Sequence, residues 1–555
     1  MKKTLRTFAA ALLLGSTLLS SCTSTRSRTA TETADLIVYN GTVYTVNDNF
    51  DKAEAFAVKD GKILAVGTTE EIRQKYNATE ELDAHGKAIY PGFNDAHAHF
   101  YRYGLSLQSA DLVGTESFKE VVRKVTEQRE KYPDTEWITG RGWDQNDWAV
   151  KEFPAKDTLD ALFPNTPIIL TRVDGHAAIV NQKALDLAGI TTATKMVGGL
   201  VEEEKGKMTG ILIDNAIDLV TAKIPEATEE EQRQALQAAQ ENCFAVGITS
   251  LADAGLDKST ADLMDAMHKS GDLQMRVYVM LNPTKANLDH YLKNGIYKTD
   301  RLNVRSFKIY GDGALGSRGA ALLKPYEDKA GHYGFLLATE KEFRDIAATL
   351  AKSDFQMNTH AIGDSTNRLL LDIYGEVLGG KNDKRWRIEH SQIVNPDDMA
   401  KYGKYNIVPS VQPTHATSDM YWAGDRLGKD RIAHAYPFKE LLQQNGWLPL
   451  GSDFPVEHIN PLYTFHAAVA RQDAKNWPDA GFQMENSLTR EEALRGMTIW
   501  AAKAAFEENE KGTIETGKFA DFVILEDDLM TVATEKMRNL QVLYTYLNGK
   551  QVYKK

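Results

Sequence analysis

Residues 355–378 read FQMNTHAIGDSTNRLLLDIYGEVL. The first part, FQMNTHAIGD, is a strand candidate with a histidine near its end. The second, DSTNRLLLDIYGEVL, is helix-like. A strand that leads straight into a helix is the unit of parallel α/β architectures. Seven further segments repeat the strand grammar: IYPGFNDAHAH, AVGITSLADAG, MRVYVML, VRSFKIYGDG, RWRIEHSQIV, NIVPSVQP and WLPLGSDFP. Helix-like stretches such as TEKEFRDIAATLAKS fill most of the gaps. Eight strands alternating with helices predict an α/β fold of the (β/α)8 barrel type. With an insertion at 101–240 set aside, residues 91–500 leave about 270 residues, close to the usual barrel length of about 250. The insertion follows the first strand and has strand signals of its own, WITGRGW and TPIILTRV. It is expected to lie over the barrel mouth.

The ends of the chain follow a different grammar. Residues 35–90 read as short strands and turns, with Asn40-Gly41 and Asp60-Gly61 as hairpin signals. The C-terminal segments KFADFVILEDD and VLYTYLNGKQVYKK return to that style, with Asn548-Gly549 as a third turn. One small β-domain built by residues 35–90 plus 505–555 is expected beside a barrel domain at 91–504.

Active sites of (β/α)8 barrels lie at the C-terminal ends of the strands. Those ends carry His97 and His99 on the first strand, Lys308 on the fourth, His360 on the fifth, His390 on the sixth and Asp453 on the eighth. His97 and His99, in PGFNDAHAHF (91–100), are two residues apart and so project from one face of a strand. Two imidazoles that share a metal ion need that placement. Imidazole suits Zn, and carboxylates accept Zn, Mn or Fe. Each residue also has a structural reading: His360 and His390 as core histidines, Lys308 and Asp453 as a buried ion pair, Asp453 as a helix cap. The convergence of all six on one barrel face argues for a metal centre.

The segments PGFNDAHAH, GRGWDQNDW, RVDGHAAIVN, KIYGDGALGSRGA, THAIGD, RIEHSQI, PSVQPTHATSDM, GSDFPVEHINP and KGTIETGKFADFVIL extend the pattern. Together they resemble the amidohydrolase superfamily, and within it the YtcJ-like amidohydrolase family 3, which includes N-substituted formamide deformylases. The resemblance implies a metal-dependent-hydrolase barrel, with the terminal strands forming a composite β-sandwich. It implies one or two divalent ions, zinc foremost. His97, His99 and Asp453 would bind the more buried ion, and His360 and His390 the second. Lys308 matches a lysine that is carboxylated by CO2 in binuclear members to bridge both ions; some relatives keep one ion or another bridge. A free ammonium beside two dications would be repelled, whereas a carbamate is an anionic ligand.

The activity implied is hydrolysis of a non-peptide C–N bond in an amide, formamide or cyclic amide. A metal-bound hydroxide would attack the carbon, with Asp453 as general acid and base. The same centre would serve an esterase, a lactonase or a deaminase, because fold does not fix function. A ligand-binding lipoprotein without turnover is a third reading; it would be expected to have lost ligands, and all six positions carry competent residues. Substrate-cavity candidates are Trp143, Asp147, His176 and Asn181 in the insertion, Asp312 and Arg318 after the fourth strand, and Gln412 and His415 after the seventh. Each has a structural alternative. His85, His268, His290, His332, His434, His458 and His466 read as structural or surface residues.

Composition fits a globular protein of more than one domain: 555 residues, 42% apolar and 26% charged. The start, MKKTLRTFAAALLLGSTLLSSC, has a basic end and a short apolar run, the layout of a signal peptide. Leu19-Ser20-Ser21-Cys22 resembles a bacterial lipobox. Residues 1–21 are therefore expected to be a lipoprotein signal peptide and residues 22–34 a flexible tether. The chain is then an exported lipoprotein of the cell envelope, held to the membrane only by lipid on Cys22, facing the periplasm or in the outer membrane. The alternative is an ordinary signal peptide with a chance cysteine. Cys243, the second of two cysteines, sits in an apolar run and reads as a buried thiol. The net charge of −12 becomes −15 once residues 1–21 and their three cations are removed. An acidic surface argues against nucleic acid and leaves a small-molecule substrate as the expected partner. Homo-oligomer formation is left open by the sequence.

Overall fold

The computed structural model describes residues 32–133 and 135–555. The signal peptide, Cys22 and most of the tether lie outside the described residues. Among the described residues no helix is long and apolar enough to cross a membrane.

A parallel, nearly closed sheet occupies the centre. Its strands are β1 (Phe93–Ala98), β2 (Ile248–Leu256), β3 (Arg276–Leu281), β4 (Leu302–Tyr310), β5 (Gln356–Ala361), β6 (Arg387–His390) and β7 (Val408–Ser410). Each pairs in parallel with the next. β1, β2, β3, β5 and β6 are buried at every residue, as expected of a parallel sheet covered on both faces. The predicted helices are present at Glu340–Ala351 and Asp364–Leu378.

The eighth predicted strand, WLPLGSDFP, is not a regular strand. Residues 447–455 close the sheet through one parallel bridge, Val411 to Leu450, and scattered backbone bonds. Ala96 N donates to Leu450 O at 3.1 Å and Asp453 N to His97 O at 2.8 Å. Pro449 has no N–H to give to a ladder. Gly451 lets the segment approach β1 closely, since a Cβ there would lie 2.6 Å from His97 N. The first predicted strand is also divided. Ala88–Pro91 belongs to a terminal sheet and β1 to the barrel. Gly92 marks the switch, where a Cβ would lie 2.2 Å from Thr249 Oγ1.

Two further sheets hold the chain ends. One runs Lys62–Gly67, Ala55–Lys59, Glu32–Tyr39, Tyr76–Asp83. The other runs Lys550–Lys554, Val542–Leu547, Phe522–Leu525, Ala88–Pro91, Thr42–Tyr44, Lys52–Ala53, and so mixes segments from both ends. Val38, Phe56, Ile89, Phe522 and Tyr546 share one apolar cluster across the two sheets. Asp60-Gly61 and Asn548-Gly549 are hairpin turns with positive φ at each residue. Asn40-Gly41 is not a hairpin. The strand before it pairs in the first sheet and the strand after it in the second, so the turn carries the chain between sheets.

Arg276, at the start of β3, ties the barrel to the terminal sheet. Its Nε donates to Asp521 Oδ2 at 2.6 Å and its Nη2 to Oδ1 at 3.1 Å. The guanidinium lies 3.7 Å from the Phe519 ring centroid. Both charged side chains are almost fully buried. Removing one partner of such a pair leaves an uncompensated charge and costs about 3–5 kcal/mol. Asp521→Ala is therefore expected to lose about that much stability, read from the denaturant midpoint. A loss below about 1 kcal/mol, the range of exposed pairs, would refute the assignment.

The insertion contains a six-stranded mixed sheet between Ala110 and Asp214. It has apolar clusters of its own, one around Leu112, Val121, Trp143 and Leu170, another around Val180, Leu185 and Leu212. Asn215, the first residue of the helix Asn215–Thr221 that follows this sheet, donates from Nδ2 to Leu337 O in the loop after β4 at 3.1 Å.

Candidate metal centre

Strand ends bring the six predicted metal-centre residues together. His97 Nε2 lies 3.5 Å from Asp453 Oδ1 and 3.2 Å from Lys308 Nζ. His99 Nε2 lies 3.2 Å from Asp453 Oδ1, and its Nδ1 lies 3.0 Å from Ala254 O. The His390 ring centroid is 5.1 Å from that of His97 and 4.4 Å from that of His360. His99, Lys308, His360, His390 and Asp453 line one cavity of about 610 Å³ at the barrel mouth. His97 is fully buried.

These residues fit a divalent cation. One potential ligand atom each from His97, His99 and Asp453 lies within 4.8 Å of the others, and the same holds for His390, His415 and Asp453. His390 Nδ1 is buried without a hydrogen-bond partner, and buried polar atoms of a native site are ordinarily satisfied. Burial pushes His97, His360 and His390 below the ordinary imidazole value, and His99 down to about 4. Neutral imidazole is the form that binds metals. Burial works to raise Asp453, yet hydrogen bonds with His415 and His99 hold it well below the usual carboxylate range. His390 and Asp453 adopt φ of 74° and 64°. Such backbone costs about 1–3 kcal/mol per residue and is retained where it aims a side chain.

Glu389 sits one residue before His390 in RIEH, and strand alternation turns its side chain to another side. Its Oε2 lies 2.7 Å from His97 Nδ1 and its Oε1 2.6 Å from Arg387 Nε. Arg387 Nη2 donates to Ala96 O at 2.6 Å. Burial acts to raise Glu389, but Arg387 and His97 hold it at about 2. The carboxylate therefore fixes the proton on His97 Nδ1 and leaves Nε2 facing the cluster. Reading only the last polar residue of each strand misses Glu389. Glu389→Gln is expected to weaken metal affinity by about 10- to 100-fold, measured by chelator competition. Unchanged affinity would remove it from this positioning role.

The substrate-cavity candidates divide. His176 and His415 line the cavity, as does Asp147. His176 Nδ1 lies 2.6 Å from Asp214 Oδ1, and its ring centroid is 5.0 Å from that of His360. His415 spans Asp453 (3.3 Å) and Glu457 (3.0 Å). Trp143 does not line the cavity. Its neighbours Gly142 and Asp144 do, so alternation turns Trp143 into the insertion core, where Nε1 donates to Leu170 O at 2.7 Å. Asn181 caps helix Gln182–Ala188. Asp312 accepts from Ala321 N, Ile362 N, Gly363 N and Thr366 Oγ1, so it binds the loops after β4 and β5 together and does not reach Lys308. Arg318 pairs with Asp328 away from the cavity. Gln412 is buried at a helix start, with Nε2 bonded to Ser410 O. His458, read as structural, lines the cavity, and so do Arg141, Tyr310 and Glu457, which the sequence did not single out.

A family model described as "Amidohydrolase family" matches residues 80–553. The chain is 33% identical over 538 residues to "Protein LONG AFTER FAR-RED 3" of Arabidopsis thaliana, covering 94% of this chain and 92% of that one. It is 28% identical over 546 residues to "N-substituted formamide deformylase" of Arthrobacter pascens, covering 94% and 98%. A crystal structure of an uncharacterized metal-dependent hydrolase from Pyrococcus horikoshii superposes with a TM-score of 0.74 at 26% identity, over 90% of this chain and 99% of that one.

Proposed function

The chain belongs to the amidohydrolase family, and on that premise we propose that it hydrolyses a non-peptide C–N bond in an amide, formamide or cyclic amide. The observation that carries this reading is the convergence of four histidines, from the ends of β1, β5 and β6, and of Asp453, from the closing segment 447–455, beside one cavity. The relative described as an N-substituted formamide deformylase makes formamides the first class to try.

In this reading His97, His99 and Asp453 hold one divalent ion, with zinc foremost. His360, His390 and a carboxylated Lys308 complete a second position. When bound, such ions polarise a carbonyl oxygen and make water more acidic. The rest falls to side chains. Asp453 takes the proton of the attacking water on a carboxylate oxygen and passes it to the leaving nitrogen. An amine leaves poorly unless protonated, so this transfer eases C–N cleavage. His415 holds Asp453 Oδ2 at 3.3 Å and is itself held by Glu457. His176, steadied by Asp214 through Nδ1, lines the cavity and would orient the substrate carbonyl with Nε2. The two terminal sheets are taken as a composite β-sandwich, and residues 1–22 as the leader and lipid site of an envelope lipoprotein.

The test uses the detergent-solubilised full chain, loaded with zinc and assayed with formamides, other N-acyl amines, cyclic amides, esters and lactones. Amine release that disappears on chelation and returns with metal is expected. Turnover confined to esters or lactones, or none with metal-replete protein, would overturn the C–N reading.

A further inference from the structure

The cavity wall contains two arginines in very different states. Arg172 is saturated: Nη1 lies 2.5 Å from Asp174 Oδ2, Nε donates to Gln145 Oε1 at 2.8 Å, and Nη2 bonds Asp144. Arg141, on the insertion strand Ile138–Trp143, is not. Its Nη2 donates to Val173 O at 2.8 Å, and its Nε is buried with no hydrogen-bond partner. Among the described residues no carboxylate comes within ion-pairing distance of it, although it lines the same cavity as Asp453.

A guanidinium held out of water without a counter-ion is costly. Burial pulls Arg141 down to about 10, with Asp174 and Asp453 opposing the shift, so those carboxylates act on it at longer range. It remains a cation at neutral pH. Gly175 lies beside its outer edge, where a Cβ would touch Nη1 at 3.4 Å and Nη2 at 3.7 Å; glycine keeps that edge free of a side chain. A planar fork with donors to spare, lining a cavity and with no carboxylate at ion-pairing distance among the described residues, matches a carboxylate in two-point contact. Divalent ions in the same cavity would make the need for an anion there greater.

We propose that Arg141 anchors a carboxylate carried by the substrate, so that the compound hydrolysed is an acidic amide or formamide rather than a neutral one. This rests on the hydrolase reading above and narrows it. Arg141 is then a specificity-determining residue contributed by the insertion. Asp147 lines the same wall, so an ammonium-bearing substrate is the competing outcome.

The experiment compares N-formyl ω-amino acids of increasing chain length with N-formyl alkylamines of matched length, and with N-formyl diamines, using zinc-loaded protein. The carboxylates are expected to be favoured about 10- to 100-fold in kcat/KM at the best length, mainly through KM, the range of a charge-assisted contact. In Arg141→Met the ratio should fall to about one, and Arg141→Lys should retain part of it. A wild-type ratio near one at every length, a preference for the diamines, or a preference that survives in Arg141→Met would each overturn the proposal. Should none of these compounds turn over, the formamide reading of the site fails separately. Calorimetric titration of the same carboxylates then decides the anchor: binding about tenfold weaker in Arg141→Met supports it, and absent or unchanged binding overturns it.

Discussion

Asp453→Asn is expected to lower kcat by about 10²- to 10⁴-fold, the range of a lost general acid–base group. Asparagine keeps the shape and can still accept hydrogen bonds, but it cannot carry the proton between water and the leaving nitrogen. Asp453 is well placed for that task. Oδ1 faces His99 Nε2 at 3.2 Å and His97 Nε2 at 3.5 Å, while Oδ2 faces His415 Nε2 at 3.3 Å. Because the substitution also removes a negative charge from the proposed ion site, kcat must be measured at saturating metal, with bound metal assayed in the same sample. His415→Gln provides the contrast. His415 lies between Asp453 and Glu457, so its loss should loosen Asp453 and cost less than the loss of Asp453 itself. A reversed order, with His415→Gln the worse variant, would move the proton-transfer role to His415. Activity of Asp453→Asn within tenfold of wild type would remove Asp453 from proton transfer.

The parts of the fold visible in the sequence are those set by regular periodicity. Seven barrel strands are found where apolar runs predict them, because a sheet covered on both faces needs such runs. The closing segment 447–455 breaks that rule for local reasons. Pro449 cannot donate, and Gly451 allows an approach to His97 that a laddered strand would not require. Its bonding partners, Ala96 and Val411, are distant in sequence. Strand-end position was enough to gather His97, His99, Lys308, His360, His390 and Asp453, since parallel strands deliver their C-terminal ends to one face. It could not say which face of an insertion strand looks into the cavity, and Trp143 lies on the face turned into the insertion core. Glu389 and Arg141 were invisible for another. Their significance lies in a partner from a remote segment, His97 in one case, and, in the other, in the lack of any carboxylate at ion-pairing distance among the described residues. Neither can be read from one local stretch.

Lys308→Ala is expected to reduce bound metal from about two ions per chain to about one and to remove most turnover with it. Lys308 is fully buried, and its Nζ lies 3.2 Å from His97 Nε2. Among the described residues no carboxylate oxygen lies within salt-bridge distance of it, so an ammonium there is poorly compensated. Burial brings it down to about 8, against the pull of Glu389 and Asp453. A sizeable share of the side chain is therefore the free amine near pH 8. That amine can attack CO2: the N–C bond forms, one C–O π pair moves to oxygen, and a proton leaves for solvent. The product is a carbamate anion, a ligand the ammonium cannot be. The sign of the pH effect follows, since the amine fraction grows as pH rises through about 8. Uptake of the second metal should speed up over that range and with added bicarbonate, and Lys308→Ala should show neither response. The competing arrangement is His390, His415 and Asp453, whose ligand atoms also lie within 4.8 Å of one another. If that trio holds the second ion, Lys308→Ala keeps both metals and His415→Ala loses one. Metal content of the two variants thus separates a carbamate bridge from a histidine ligand, because each variant removes a donor that only one of the two arrangements uses.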